Sequence, residues 1–433
     1  MKKQSENITA LDETENNAEL KLPAFFHFSP VRKYIMFWLI IALPFFGEIF
    51  HYLSSVKPLW AFSKLMPVLS LPLIFHLRGY SPFPISRQVI LTFSWLLLSP
   101  TIASIFYFHE GFFTAITAQV KILPILYFFS FLSFLLILKP KLYEIEKSFI
   151  ILGLTTTIIL VFFWLTIPNS WYQEHYVVGS APFFSSDNRG HRIRMQMYFA
   201  IIALFFFYRR GFAEKRVMYL LSAAAIFFVT LLLVKTRAMI IGCTGVLLLN
   251  TIVWVPPFVR IVVAGAAPFA LVGMFSTGYL ASTFSTSASS GIDVRRSTAQ
   301  LAIHFLGEHP FKWIFGVGTL SPTSADTLMK YFHHFFFLAD ITWLGIVFEY
   351  GLFGASLIIA FQLRGLIFFK TINKIVSDDF LGALRDYLLY VLIISIFYPP
   401  TLTPGETAVI LSIFAYVWYA GSLDKLSFLQ NRV

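Results

Sequence analysis

The chain has 433 residues, of which 57% are hydrophobic, 18% are aromatic and 13% are charged. A soluble domain cannot bury that much apolar surface, so the composition excludes a soluble protein and indicates an integral membrane protein. The formal net charge of +11 would favour a nucleic-acid partner in a soluble protein. In a membrane protein, however, most of these cations belong at cytoplasmic helix ends, so we expect membrane lipids as partners and no nucleic acid.

The first 30 residues are polar and acidic, with no aromatic residue before Phe25. No apolar core with a small-residue cleavage site follows the two N-terminal lysines. We therefore expect residues 1–30 to form a disordered cytoplasmic tail without a cleaved signal peptide, and residues 31–433 to form one polytopic membrane domain. The lone Cys243 lies in an apolar run, so we expect no internal disulfide and no thiol chemistry.

Apolar segments then follow one another along the chain, mostly with the length of a membrane span. Together they predict an all-α polytopic membrane protein with about twelve transmembrane helices. The segments lie near 34–53, 58–77, 86–107, 120–138, 148–167, 194–208, 217–235, 238–256, 258–276, 340–363, 384–399 and 405–421.

Lys and Arg concentrate in alternate loops, which orients the chain with both termini in the cytoplasm. The outer loop 108–119 contains neither residue type. We interpret Arg209 and Arg210 as ordinary anchors at the inner face. The other inner cations are Arg78, Arg87, Lys139, Lys141, Lys147, Lys215, Arg216, Arg364, Lys370, Lys374, Lys425 and Arg432.

Several cations lie on the outer side, against this orientation rule. They come from two long outer loops, about 168–193 and 277–339, and from a helix end between them. Arginine is a permanent, bidentate donor that suits phosphate oxygens, so convergence of these segments would create an anion site; solvated loop faces and a helix-end cap are the alternatives. The cations are Arg189, Arg192 and Arg194 beside His191, then Lys235 and Arg237, then Arg295 and Arg296.

The end of the second loop carries groups that can accept a proton. His333 and His334 precede Asp340 at the mouth of the next apolar segment, where such side chains could activate a hydroxyl. The His-His pair could also be a fragment of a metal site, but no third ligand is obviously spaced with it. We therefore predict no metal and no other cofactor.

Four sequence features resemble the bacterial O-antigen ligase and O-antigen or exopolysaccharide polymerase (Wzy-type) superfamily. The first is Thr236-Arg237 at the outer start of a span, and the second is a large outer loop that opens with Arg295 or Arg296 and an amphipathic segment. The other two are Glu308-His309-Pro310 followed by Gly316-Val317-Gly318, and Glu349-Tyr350-Gly351-Leu352-Phe353-Gly354. The likeness is specific over about 230–355 and rests on topology elsewhere.

This resemblance implies a fold like the C class of membrane glycosyltransferases (GT-C) and a metal-independent reaction at the periplasmic face of a bacterial inner membrane. The substrates would be undecaprenyl-pyrophosphate-linked glycans, and a chain-length regulator protein is a candidate partner. Arg237, Arg295 and Arg296 would bind the pyrophosphate, with Arg189 and Arg192 in support. Asp340, His334 or His333 would activate the acceptor hydroxyl.

The residues at the predicted base position differ between two kinds of enzyme in this superfamily. Ligases usually carry His-Asn where this chain has Asp340-Ile341, which favours a polymerase that joins lipid-linked repeat units. A ligase that transfers finished glycan to lipid A-core is the first alternative. A flippase or other transporter is the second, although we expect a transporter to carry its charges inside spans and to show internal symmetry.

Overall fold

The computed structural model describes residues 34–53, 56–80, 82–174, 182–187, 190–254, 288–320, 327–334, 336–399 and 404–422. The predicted tail 1–30, the segment near 258–276, and the cations Arg189, Lys425 and Arg432 lie outside these residues. Every other predicted apolar segment overlaps at least one helix.

The first half of the chain forms six principal helices that follow the apolar segments. Shorter turns precede or extend several of them, namely Ile49–Tyr52, Leu71–Ile74, Phe75–Gly79, Phe112–Thr117, Val120–Leu126 and Asn169–Trp171. The principal helices are α1 (Ile35–Phe46), α2 (Lys57–Leu69), α3 (Ser86–Phe108), α4 (Tyr127–Leu138), α5 (Leu142–Thr166) and α6 (Tyr198–Glu214).

The described residues of the second half form further helices of the bundle and two helices that belong to the second outer loop. The π-helical turn Thr230–Val234 continues the helix Val217–Val229, and the short turns Leu328–Tyr331 and Leu338–Ile341 precede the helix Thr342–Ile375. The helices are α7 (Val217–Val229), α8 (Arg237–Trp254), α9 (Ala288–Gly307), α10 (Pro310–Phe315), α11 (Thr342–Ile375), α12 (Asp379–Ile394) and α13 (Pro404–Ser422).

Within the described residues, six helical segments are long and apolar enough to cross a membrane, which indicates a predominantly α-helical, multi-pass membrane protein. They are Lys57–Gly79, Ser86–Phe108, Val120–Leu138, Leu142–Thr166, Val217–Val234 and Thr342–Ile375. The number of about twelve spans and the GT-C-like arrangement stay predictions. We call the end of the bundle that faces outward in the predicted orientation the outer end.

Polar caps make two helices begin earlier than the apolar pattern predicts. Helix α5 begins at Leu142 because the Glu144 carboxylate accepts a hydrogen bond from the Lys141 backbone N–H, at 2.6 Å. Helix α12 begins at Asp379 because the Asp378 side chain accepts from the N–H groups of Phe380 and Leu381. The apolar pattern does not predict these first turns, because their capping residues are polar.

A charged cluster lies inside the bundle, toward its inner end. Arg209 of α6 pairs with Asp386 of α12 at 3.1 Å, and Asp386 is completely buried. Asn250 of α8 donates to the same carboxylate at 2.7 Å, and Arg385 also donates to it. Arg209 is therefore not the simple interfacial anchor that the sequence suggested, because its partner lies on another helix.

Helix α11 bends at Gly351, where the second outer loop packs against it. Gly351 has φ of +73°, which interrupts the helical hydrogen bonds. Val317 and Gly318 donate their backbone N–H groups to the carbonyl oxygens of Phe348 and Glu349, at 2.7 and 3.2 Å. The loop thereby satisfies carbonyl groups that the bend exposes, as the interior of a membrane protein requires.

Helix α3 holds the other side of the same loop. Ser104 exchanges hydrogen bonds with the backbone of Thr319, at 2.9 Å to the oxygen and 3.1 Å to the nitrogen. Trp95 donates its indole N–H to the Tyr350 carbonyl oxygen at 3.2 Å. The Gly316-Val317-Gly318 and Glu349-Tyr350-Gly351 motifs thus meet in one joint between α3, α11 and the second outer loop.

Gly351→Ala should destabilise the protein, because its positive φ strains an L-residue and an added methyl group would overlap the Ile314 carbonyl oxygen. We expect a loss of at least about 1–3 kcal/mol in the free energy of unfolding. Thermal unfolding in detergent measures this as a lower midpoint. Gly307→Ala is the matched control, since its added methyl group would meet nothing within 4 Å; equal midpoints for the two variants would contradict the account of the bend.

Candidate functional site

A β-hairpin in the first outer loop carries the cations predicted between 189 and 194. Strand β1 (Phe184–Asp187) pairs antiparallel with β2 (Gly190–Ile193), and Ser185 lies opposite Arg192. Gln173 extends the pairing, since its backbone oxygen accepts from Ser186 N–H at 2.8 Å. The hairpin adds a small β element to the all-α prediction; Arg189 lies outside the described residues.

Ser185 fixes the direction of two arginine side chains. Its hydroxyl accepts from Arg192 Nε at 3.1 Å and from Arg194 Nε at 3.2 Å. Arg192 and Arg194 are two residues apart and therefore lie on the same face of an extended chain. Ser185 is 0% exposed and Arg192 is 6% exposed, whereas Arg194 is half-buried, so two positive charges are held together and one of them has little access to water.

The predicted cations at the start of α8 lie against this hairpin. Strand β2 packs on the π-helical turn Thr230–Val234, and Lys235 follows that turn in the left-handed conformation, with φ of +52°. The Lys235 ammonium lies so close to Gly190 that a methyl group there would be 3.4 Å from Nζ. π-helical turns are often found at functional sites. Two of the three predicted cation segments therefore meet.

A cavity of about 180 Å³ opens beside this junction. Polar groups on the hairpin side and on α12 and α13 line it, and methionine and tyrosine side chains form much of the remaining wall. The lining residues are Arg192, Arg194, Met195, Gln196, Met197, Tyr198, Ile201, Val234, Thr236, Ala238, Met239, Tyr387, Tyr390, Ile394, Tyr398 and Glu406. We call this space the hairpin cavity.

Glu406 is the carboxylate of the hairpin cavity. It lies in the first turn of α13 and is 3% exposed. Tyr387 donates its hydroxyl to Glu406 Oε2 at 2.6 Å, and Gln196 donates its amide N–H to Oε1. Tyr198 donates to the Glu406 backbone oxygen at 3.3 Å. Four helices and the hairpin segment thus meet around one acidic side chain and the cavity that it lines.

Sequence reasoning missed Glu406, Gln196 and Tyr387. Glu406 sits between Gly405 and a long apolar run, and an acidic residue at the edge of a span is by default a functional hypothesis. That signal was available from the sequence. Gln196 and Tyr387 gave no comparable signal, because only the fold brings them to the carboxylate.

Arg237 begins α8 and is half-buried, between the cavity-lining residues Thr236 and Ala238. Arg295 and Arg296 are exposed on α9. That helix packs through its buried residues Thr298, Ala302 and Leu306, and it contacts α11 and the turn Leu338–Ile341. Arg295 and Arg296 are not among the residues that line the hairpin cavity.

The candidate bases lie in and after the turn that follows Leu328–Tyr331. His333 and His334 are both exposed, and His334 N–H donates to the Met329 carbonyl oxygen at 3.2 Å. The backbone of Asp340 lies in the turn Leu338–Ile341, and its side chain lies outside what the structure describes. His333 and His334 do not line the hairpin cavity.

The acidic residues of the two C-terminal motifs form ion pairs. Glu349 pairs with Lys121 at 2.7 Å, and Glu308 pairs with Lys312. The Lys312 ammonium also lies 3.5 Å from the centre of the Phe305 ring, a close cation–π contact. The Glu349 pair therefore links α11 to the turn Val120–Leu126, whereas the Glu308 pair lies within the second outer loop.

A groove of about 480 Å³ runs between α3 and α10. Its walls are largely apolar and include Leu98, Ile102 and Phe106 of α3 with Phe311 and Phe315 of α10. Ile102, Phe106 and Phe311 are each more than half exposed in the isolated chain. In a bilayer these surfaces can contact hydrocarbon chains.

No protein-family model matches the sequence, and no curated protein matches it either.

Ser185→Ala should loosen the hairpin, because it removes the acceptor that the guanidinium groups of Arg192 and Arg194 share. A hydrogen bond to a charged group contributes roughly 1.5–3 kcal/mol, which corresponds to about 10- to 100-fold faster amide exchange in residues 184–193. Hydrogen–deuterium exchange measures this directly. Ser186→Ala is the control, since Ser186 lies on the opposite face of β1. Equal exchange in the two variants would show that Ser185 does not organise the arginines.

Proposed function

We propose that the protein is a bacterial O-antigen or exopolysaccharide polymerase of the Wzy type, with a GT-C-like fold. It transfers an undecaprenyl-pyrophosphate-linked glycan to the hydroxyl of another lipid-linked repeat unit, at the periplasmic face of the inner membrane. The observation that supports this best is the meeting of Arg192 and Arg194 with the Lys235–Arg237 segment beside the hairpin cavity.

The proposed reaction needs positive charge where the pyrophosphate leaves. Guanidinium groups that are already fixed in a site of low dielectric stabilise such developing charge without reorganisation. The shared hydrogen bond to Ser185 provides this fixation for Arg192 and Arg194. We propose that these two arginines, with Lys235 and Arg237, bind the pyrophosphate in place of a metal ion.

The remaining sequence-predicted residues keep proposed roles. Arg189, Arg295 and Arg296 are proposed as further pyrophosphate contacts from the two outer loops, although Arg295 and Arg296 do not line the hairpin cavity. Asp340, His334 and His333 are the candidates for the base that activates the acceptor hydroxyl. The exposure of both histidines is compatible with a substrate that approaches from the outer surface.

The apolar groove between α3 and α10 supports the proposal that the substrate is lipid-linked. Its lining is nearly free of polar groups and includes exposed aromatic residues, among them Phe106 and Phe311. We propose that the polyprenyl chain of a substrate lies in the membrane along surfaces of this kind, while its headgroup reaches the outer end of the bundle. A ligase would use the same features, so the glycan products must decide between the two enzymes.

The product pattern of a strain that lacks the gene tests the proposal. Accumulation of single repeat units on the carrier or on lipid A-core is expected for a polymerase. Long polymer stranded on the carrier would instead identify a ligase. Single units trapped on the cytoplasmic side would identify a flippase, and an unchanged glycan profile would contradict all three functions.

Arg192→Ala and Arg237→Ala should each abolish chain elongation while the protein still inserts. Removal of one fixed donor at a site of developing negative charge costs roughly 10²- to 10³-fold in rate. Gel profiles of surface glycan in the complemented strain measure the loss. Arg216→Ala is the control, because Arg216 is largely exposed and pairs only loosely with Glu214, at 3.4 Å. Long polymer made by either site variant would remove that arginine from the site.

Asp340→Asn and His334→Ala should differ sharply if one of them is the base. Loss of general-base catalysis lowers the rate by roughly 10²- to 10⁴-fold, whereas loss of a surface contact has little effect. His333→Ala serves as the neighbouring comparison. In vitro elongation of lipid-linked repeat units gives the rates. Mild and equal effects of all three substitutions would exclude these residues as the base.

A further inference from the structure

The hairpin cavity holds a carboxylate that the proposed function has not yet used. Glu406 lines the cavity together with Arg192, Arg194 and Thr236, and it receives hydrogen bonds from Tyr387 and Gln196. Burial of an acidic group in a membrane protein is expensive, so such residues are generally kept for a function. The position of Glu406 in a cavity wall gives it access to a ligand.

A second buried acid nearby shows that burial alone does not explain Glu406. Glu48 is 6% exposed and accepts a hydrogen bond from the Gly405 backbone N–H at 3.2 Å. It therefore stabilises the first turn of the same helix, α13. Glu48 is not among the residues that line the hairpin cavity. Glu406 thus lines the cavity, whereas Glu48 contacts the first turn of α13.

The size and walls of the cavity favour a sugar rather than a lipid. Its volume of about 180 Å³ is below the roughly 300–1,000 Å³ of pockets that enclose whole drug-sized ligands, so only part of a large substrate enters it. Tyr198, Tyr387 and Tyr390 lie in its wall as aromatic residues that are each at most 2% exposed. Thr236 and Gln196 add polar groups that can face sugar hydroxyls.

We propose that Glu406 binds the attacking hydroxyl of the acceptor sugar and accepts its proton. The inference rests on the proposed function and assigns the acceptor's terminal sugar to the hairpin cavity. As the hydroxyl oxygen forms its bond to the anomeric carbon of the donor, the bond from that carbon to the pyrophosphate oxygen breaks. The pyrophosphate leaves with the bonding electron pair, and the acceptor proton moves to the Glu406 carboxylate.

This role differs from the one predicted for Asp340 and the histidines. Glu406 already shares a cavity with two arginines that are fixed by Ser185. Asp340, His333 and His334 then serve substrate binding at the outer surface. The two assignments predict different results. If Glu406 accepts the proton, its substitution removes proton transfer; if Asp340 or a histidine accepts it, substitution of that residue does.

Glu406→Gln tests the inference in the purified full-length protein, reconstituted in vesicles. The probe is lipid-linked repeat unit extracted from the strain that lacks the gene. We expect kcat to fall by roughly 10²- to 10⁴-fold, because the amide keeps the shape of the side chain and cannot accept the proton. The KM for the acceptor should change by less than about threefold, since most binding contacts remain. Glu48→Gln should retain at least about half of the wild-type kcat, because Glu48 contacts the helix start and not the cavity.

Tyr387→Phe keeps the test informative if Glu406→Gln does not fold. It removes one hydroxyl that donates to Glu406 and keeps the buried ring, so kcat should fall by roughly tenfold while the folded protein is recovered. Glu406→Asp, which retains a carboxylate, should keep more activity than Glu406→Gln.

The outcomes separate this inference from the proposed function. If the wild-type protein does not elongate the extracted units, the polymerase proposal fails. If the wild-type protein elongates them and Glu406→Gln does so at a similar rate, only the role of Glu406 fails. An unchanged kcat in Tyr387→Phe would likewise contradict it, and so would equal losses in Glu48→Gln and Glu406→Gln.

Discussion

The absence of water from the hydrocarbon layer is the constraint on which this structure depends. Each polar group placed there must find a partner within the protein. The Arg209–Asp386 pair, the Lys121–Glu349 pair and the Val317–Phe348 backbone bond all meet this requirement by joining different parts of the chain. Polar contacts therefore determine which helices are neighbours, because apolar side chains pack on lipid almost as well as on one another.

The same constraint explains why the candidate site lies at the outer end of the bundle. A hairpin has unpaired backbone groups at its edges and cannot face hydrocarbon. At the outer end its strands can pair with Gln173 and pack on the turn Thr230–Val234. Arg192 and Arg194 then lie at the outer end of the bundle, and both donate a hydrogen bond to Ser185. The site is half loop and half helix, so rigid helices position residues that loops supply.

The sequence was sufficient for the helices but not for the groups that pack between them. Hydropathy located helices, six of which are long enough to span a membrane within the described residues, while the capped first turn of α12 and the extension of α11 to Ile375 were not predicted by the apolar pattern. The outer cations were predicted from their violation of the orientation rule, and the hairpin brings two of the three groups together. The pairing of Arg209 with Asp386 and the contact of Gln196 with Glu406 could not be read in advance, because such contacts depend on how distant helices pack.

A single displacement at an anomeric carbon requires the attacking oxygen and the leaving oxygen to lie on opposite sides of that carbon. A site for the proposed reaction must therefore separate its base from its cations by about one sugar ring. In the hairpin cavity, Arg192 and Arg194 come from the hairpin segment, and Glu406 comes from α13. In the proposed reaction, the Glu406 carboxylate would repel phosphate and the arginines would attract it, so the pyrophosphate would lie toward the hairpin segment and the hydroxyl toward the carboxylate. Charge of both signs in one cavity thus orients the substrates of the proposed reaction, which a purely cationic site could not do.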